Sequence, residues 1–339
     1  MDRTAVIRAG IVGLGRWGRA LVDAVSGKSE QIGFVRAMTG SRAKAEEFCR
    51  ARGIALVDSF DELLRDGGLD AVVLATPHSL HHAQALAAIA AHKHVFVEKP
   101  LTLDLASATA VAEAARRGGR VLAVGFARRF HPSVVALRRA IADGSLGTVA
   151  AMVAQHTTST AQFIPTGNWR AAADEAPAGA FTAVGLHALD HMIECAGRVR
   201  DVHCTTARVH PGPSDDTTTV MLRFESGATG LLFCSVATAT NFEFTVYGSN
   251  GLVEISRPDL SRFRYAPVAK AAPTGVVPAP PDTIIDNPGF DMLRAELEAF
   301  AAAIRDGAPY PVPIDDVLHN MAVFDAVVAS AASGRITAV

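Results

Sequence analysis

The chain has 339 residues, more than a single core holds comfortably and suited to two domains of roughly 150 residues each. A formal net charge of -2, with 49% hydrophobic and 19% charged residues, is the balance of a folded globular protein and excludes a largely disordered one. Nothing in that charge points to nucleic acid or to a membrane surface as partner, so a small-molecule ligand is expected. No apolar run reaches the roughly 18 residues of a membrane span, and Met1 to Arg8 lead into a strand instead of a secretion signal. Cys49, Cys195, Cys204 and Cys234 are scattered without a C-x-x-C pair, which suggests buried thiols, no metal site and a reducing, cytoplasmic setting.

From Ala5 to about Phe126, short apolar runs alternate with amphipathic stretches, the pattern of β-α units around a doubly wound parallel sheet. Strands are predicted at Ala5–Val12, Ile32–Met38, Ile54–Val57, Asp70–Ala75, His94–Val97 and Val121–Phe126, rich in Val, Ile, Leu and Phe as strands buried on both faces are. Ser41 is placed as the N-cap of a helix over Arg42–Arg52 that stops at Gly53, and Gly118 as the stop after a helix over Leu103–Arg117. Residues 1–127 are read as this α/β domain. Residues 128–339 are read as an α+β domain with a mostly antiparallel open sheet. It begins with a helix over Ser133–Asp143, a strand over Thr148–His156 and a polar loop through Trp169, followed by a helix over Phe181–Ala196. Strands follow at Val199–Val209, Thr217–Phe224, Ala228–Ala237, Phe242–Tyr247 and Leu252–Ser256, separated by Gly-rich turns. Pro258–Pro281 reads as a Pro- and Ala-rich loop, and Asp291–Asp306 and Asp315–Ser333 as closing helices. Alternation of Val220, Leu222 and Phe224 with Thr219, Met221 and Arg223 gives the sheet an apolar face on which copies of the chain could assemble.

Gly13-Leu14-Gly15-Arg16-Trp17-Gly18 follows a predicted strand and opens a helix, the context required of a dinucleotide-binding fingerprint in a Rossmann fold. The first glycine permits the tight turn, the second lets the backbone approach a pyrophosphate, and the third packs helix on strand. The second strand ends Met38-Thr39-Gly40-Ser41-Arg42, without the carboxylate that usually binds the ribose hydroxyls of NAD. Ser41, Arg42 and Arg16 could instead bind a 2′-phosphate, which slightly favours NADP over NAD, the competing reading being a capping Ser41 and a solvated Arg42. Lys99 lies just past the carboxyl end of the strand His94–Val97, where ligands of open α/β sheets bind, and can hold a substrate hydroxyl and shuttle its proton. On the helix Phe181–Ala196, Leu186, Leu189 and Ile193 form an apolar stripe, and His187, Asp190, His191 and Glu194 form a polar one. His187-Ala188-Leu189-Asp190-His191 has the outline of the inverted zinc motif H-x-x-E-H. Its acid is one carbon short and no third ligand is placed, so no metal is expected.

These residues together resemble a family. Gly13–Gly18, Ala75-Thr76-Pro77 with His81, Val97-Glu98-Lys99-Pro100, Gly125-Phe126 with Arg128-Arg129-Phe130, and Gly185-x-His187-x-x-Asp190 are similar to the Gfo/Idh/MocA oxidoreductases. The resemblance runs on to Glu296–Phe300 and Tyr310-Pro311-Val312. It implies NAD(P)-dependent oxidation or reduction of a secondary alcohol or carbonyl of a sugar, polyol, sugar acid or related molecule, with Lys99 and His187 as catalytic groups at the reacting carbon. It also implies a homodimer or homotetramer. The cofactor is assigned to Gly13, Gly15, Arg16, Trp17 and Gly18, to Thr39, Ser41 and Arg42, and to Thr76, Pro77, His78, His81, Glu98 and Lys99. Arg129, Trp169, Arg170 and Asp190 are assigned to the substrate. Many members carry Asp four residues before the histidine; here Ala183 stands there, and Asp190 or the substrate itself is expected to orient His187. The alternatives are an isomerase or lyase working through transient oxidation, and a non-catalytic NADP-binding regulator.

Overall fold

A computed structural model describes residues 6–165, 167–212, 214–272 and 275–339; the predicted strand start at Ala5 lies outside them, as do two residues of the predicted loop. The chain forms two compact units: residues up to Ala127 with Asp291–Met321, and Arg128–Phe290 with Ala322–Val339.

In the first unit the strands are β1 (Ile7–Val12), β2 (Ile32–Met38), β3 (Ala55–Leu56), β4 (Ala71–Leu74), β5 (His94–Glu98) and β6 (Leu122–Gly125). They lie in the order β3-β2-β1-β4-β5-β6, with every pairing parallel. The order reverses beside β1, and the carboxyl ends of β1 and β4 flank the switch point at which such sheets take ligands. Every residue of β4 and β5 is buried, as a sheet covered on both faces requires. The helices are α1 (Arg16–Val25), α2 (Arg42–Arg50), α3 (Phe60–Arg65), α4 (His81–Ala90) and α5 (Leu105–Gly118). Two end signals differ from the sequence reading. Ser41 precedes α2 without a side-chain capping bond, and the left-handed stop of α5 is Gly119, at φ 61°, one residue beyond Gly118.

The sequence reading kept both closing helices in the second domain, whereas Met292–Asp306 belongs with the first unit. The reason is apolar burial: Leu297, Phe300 and Ala301 lie in one buried cluster with Ile7, Ile11, Val73 and Phe96, and the rings of Phe96 and Phe300 meet edge to face at 5.7 Å.

The second unit contains α6 (Pro132–Ala142), β7 (Val149–Thr157), α7 (Leu186–Ala196), β8 (Val199–Ala207), β9 (Thr217–Phe224), β10 (Thr229–Ser235), β11 (Asn241–Gly248) and β12 (Gly251–Ser256). Next come β13 (Arg262–Pro267), β14 (Lys270–Ala272), β15 (Gly275–Val277) and β16 (Thr283–Asp286). The chain closes with α8 (Met292–Asp306), α9 (Ile314–Ser333) and β17 (Thr337–Ala338). Nine strands form a sheet in the order β16-β13-β12-β11-β7-β10-β9-β8-β17, and β14 pairs with β15 alone. Neighbours in the large sheet are antiparallel apart from β7 and β10.

The predicted loop Pro258–Pro281 is corrected to strand over half of its length. Proline and alanine hid an alternating stretch that pairs through charge: Arg262 with Asp286 at 3.2 Å, and Arg264 with Asp282 at 2.7 Å and Glu254 at 3.2 Å. The predicted helix Phe181–Ala196 opens with a π-helical turn over Phe181–Gly185 before α7 begins. Gly185 is required there, since a Cβ would lie 2.7 Å from the Phe181 ring and 3.1 Å from Cys234 Sγ. Such turns change the phase of the helix that follows and recur at functional sites. Among the described residues no helix is long and apolar enough to cross a membrane.

Candidate active site

The glycine loop of the first unit has the form its sequence implies. Gly13 sits at φ 95°, and a Cβ on it would lie 2.5 Å from the Ala75 carbonyl oxygen, so only glycine fits. Gly18 is held by contact too, its virtual Cβ 1.9 Å from the Gly13 oxygen. Gly15 differs: no protein atom lies within 4 Å of its virtual Cβ. It is the N-cap of α1, no side chain caps that end, and no acid occupies the first turn. Open space before uncapped N–H groups suits a pyrophosphate, which the helix dipole favours. The site therefore fits the dinucleotide.

Beside the loop, Arg16 is exposed, while Trp17 is half-buried and packs its ring against the sheet's core. Thr39 is half-buried, and Ser41 and Arg42 are exposed. Arg42 is not simply solvated, since it pairs with Asp58 and, at 3.7 Å, with Glu46.

At the carboxyl ends of β4 and β5, Thr76 Oγ1 donates to Gln84 at 2.7 Å. His81 is fully buried, with Nδ1 2.9 Å from the Pro100 oxygen and Nε2 3.2 Å from the Thr76 oxygen. Assigned to the cofactor, His81 instead struts the Pro77 loop against Lys99-Pro100, with the His78 ring edge-on to it at 5.7 Å. Lys99 is half-buried and follows β5 directly. Glu98, also assigned to the cofactor, is only 7% exposed and turns inward, its Oε1 3.0 Å from a virtual Cβ on Gly125. The fully buried carboxyl of Glu296 on α8 is pushed well above the usual range, by burial first and then by the Glu98 charge, which favours its neutral acid form. Sequence reasoning gave this residue no role.

The second unit holds the other cluster. His187 lies half-buried at the start of α7, its ring centroid 6.2 Å from that of His156 on β7. His156 stands edge-on to Phe242 of β11 at 5.4 Å, and register places the two residues opposite each other. Its Nδ1 lies 3.0 Å from the Val184 oxygen and its Nε2 3.1 Å from Arg128 Nη2. A carbonyl only accepts and a guanidinium only donates, so the pair fixes His156 as the neutral Nδ1–H tautomer. The Arg128 guanidinium lies 4.4 Å from the centre of the Phe242 ring, a cation–π contact.

Arg129 and Asp190, assigned to the substrate, are placed differently. They are 3% and 1% exposed, and Arg129 Nε and Nη2 each donate to a separate Asp190 oxygen at 2.7 Å. They form a buried bidentate pair within the unit instead of a surface offered to a ligand. Glu194 extends it, accepting from Arg138 at 2.7 Å and lying 3.8 Å from Arg129, while burial pushes its carboxyl upward against the pull of both arginines. The expected reactive stripe on α7 is thus mostly interior. His191 is fully buried and stacked on Phe244 at 5.8 Å, and burial, followed by the charges of Arg128, Arg129 and Arg138, pushes it well below the usual range. Trp169 and Arg170 sit on a short surface turn, the guanidinium 4.1 Å over the indole. Ala183, in the π turn, is exposed and brings no charge. Among the described residues no three His, Cys, Asp or Glu side chains gather as a metal site would require.

Comparison with known proteins fits this geometry. Residues 7–126 match the model of the GFO_IDH_MocA oxidoreductase family, NAD-binding Rossmann fold, and residues 134–254 match the GFO/IDH/MocA C-terminal domain. Inositol 2-dehydrogenase of Rhizobium meliloti (strain 1021) is 28% identical over 97% of this chain and 98% of its own. Trans-1,2-dihydrobenzene-1,2-diol dehydrogenase of Oryctolagus cuniculus is 28% identical over 63% of this chain, and the match spans 64% of that enzyme's length. The crystal structure of GenD2 from gentamicin A biosynthesis in complex with NAD superposes with a TM-score of 0.85 at 26% identity, covering 100% of this chain and 98% of the other.

Proposed function

Because the chain belongs to the Gfo/Idh/MocA oxidoreductase family, we propose that it is an NAD(P)-dependent dehydrogenase or reductase acting on a secondary alcohol or carbonyl of a small molecule. The observation that carries this reading is the space at Gly15, ahead of an uncapped helix. Bound there, the nicotinamide nucleotide supplies a two-electron acceptor or donor at the substrate carbon. The protein's part is the proton. The alcohol must lose its hydroxyl proton as it is oxidised, and the groups we assign to that proton are Lys99, following β5 in the first unit, and His187, at the start of α7 in the second. A cofactor-saturated screen of sugars, inositols, sugar acids and dihydrodiols, followed at the nicotinamide absorbance band, tests it. Turnover of no alcohol or carbonyl with either nucleotide would sink it.

NADP is expected to bind at least as well as NAD. β2 ends in Met38 and is followed by Thr39-Gly40-Ser41, without the carboxylate at the strand end that usually binds the ribose hydroxyls of NAD. Arg42 is half exposed, and its ion pairs with Asp58 and Glu46 are of the exposed kind that is worth little, so a phosphate can displace them. Titration of both nucleotides against wild type and Arg42→Ala checks this; an NAD preference untouched by the substitution contradicts it.

The large sheet is proposed to join copies of the chain. Val220, Leu222 and Phe224 are buried within the unit, whereas Met221, Leu231 and Tyr247 on the other face are 60%, 43% and 43% exposed. Met221 pairs with Leu231, and Leu231 with Val153, giving a continuous apolar band across three strands. Light scattering at micromolar concentration is expected to show a dimer or tetramer that Met221→Asp with Leu231→Asp dissociates. A monomeric wild type refutes the assembly.

A further inference from the structure

Arg128, in the second unit, has no carboxylate opposing its charge. Of the guanidiniums acting on His191, Arg129 is paired with Asp190, and Arg138 with Glu194. Three positive charges thus face two negative ones, and the excess falls on Arg128. Its Nη2 is spent on a neutral histidine, and its Nη1 is buried with no hydrogen-bond partner. A buried donor left unmade is costly, and more so when it carries charge. Burial alone, with no opposing carboxylate, lowers the Arg128 pKa to about 10. His156 links the guanidinium to the ring of His187, and Phe242 supports it from behind.

We infer that Arg128 receives a carboxylate of the substrate, so that the alcohol handled beside His187 belongs to a hydroxy acid or sugar acid and not to a neutral polyol. One excess positive charge matches a monoanion better than a phosphate dianion, and a guanidinium N–H directed at a carboxylate oxygen forms one of the stronger hydrogen bonds available to a protein. The bridging His156 then sets how far the carboxylate lies from the oxidised carbon. This rests on the dehydrogenase reading for the identity of the reacting group, but the anion site is tested without turnover.

The probes are lactate, glycerate and gluconate, each beside its neutral counterpart, 1,2-propanediol, glycerol or glucitol, titrated calorimetrically into enzyme saturated with the reduced nucleotide. At least one acid is expected to bind roughly 30-fold more tightly than its neutral partner, the scale of one charge-assisted hydrogen bond. Arg128→Gln should abolish that difference while leaving nucleotide affinity unchanged, and Arg128→Lys, which keeps the charge and loses the planar fork, should retain part of it. If Arg128→Gln does not fold, the wild-type and Arg128→Lys ratios decide. Equal binding of acids and neutral partners by the wild type, or an acid preference that survives Arg128→Gln, overturns the inference. The same mixtures with oxidised nucleotide record turnover separately: a preference for acids without turnover of any alcohol leaves the anion site standing and removes the dehydrogenase reading.

Discussion

Lys99→Ala and His187→Ala are each expected to lower turnover at least about a hundredfold, the scale of a lost acid–base group, while nucleotide binding stays nearly intact. The two residues sit on different parts of the chain and do different work. Lys99 follows a strand buried at every position, with Glu98 turned inward and Pro100 held by His81, so its backbone is fixed by its neighbours. His187 is anchored by the start of α7 and neighbours His156, whose tautomer is set by Val184 and Arg128. Arginine cannot take up the proton, and the Nε2 lone pair of His156 already accepts from Arg128, so the role of base is assigned to His187. A loss in kcat with unchanged nucleotide affinity supports both roles. Near-normal turnover in either variant removes that residue from the mechanism.

Asp190→Ala is expected to reduce the free energy of unfolding by about 3–5 kcal/mol, the cost of leaving one member of a buried ion pair uncompensated. Glu194, 3.8 Å from Arg129, is too distant to replace the two 2.7 Å bonds that Asp190 supplies. Asp190→Asn should cost nearly as much, because the shape survives but the charge does not. Replacing both partners, Arg129→Met with Asp190→Leu, should recover much of the loss. Urea unfolding monitored by circular dichroism, with an unchanged slope against denaturant, measures these differences. A single variant as stable as the wild type would show that the pair is not what holds α7 in place.

The glycine loop was legible because its constraints are local. Gly13 and Gly18 are fixed by backbone contacts within the βα unit and with the end of the adjacent β4, so their spacing alone reports the geometry. The position of Lys99 just past a strand end was legible for a related reason, and strand ends of parallel sheets are where ligands go. The cluster of Arg128, His156 and Phe242 was not, because it depends on strand register: β7 must lie beside β11 with His156 opposite Phe242, and no short-range signal sets that pairing. Helical periodicity also misled. It separates faces of a helix, but α7 is buried on more than one side, so Asp190 and His191 read as a polar stripe while serving as interior groups. Phe300 shows the same limit at longer range, since nothing near residue 300 says that its ring belongs against Phe96.

That last contact has a consequence for synthesis. Domains emerging from the ribosome tend to fold N-terminus first, but here the first unit needs residues 291–321, which are made after eight of the nine strands of the large sheet. Until then the nascent parallel sheet lacks Leu297 and Phe300, and a missing core phenylalanine alone costs about 3–5 kcal/mol. Most of the second unit, residues 128–290, emerges while its predecessor in the chain is still incomplete, with apolar side chains such as Phe96 uncovered. A fragment ending at Phe290 would carry every strand of the parallel sheet and yet be prone to aggregate, and the dinucleotide loop at its N-terminus would reach its final stability only once residues 291–321 are in place.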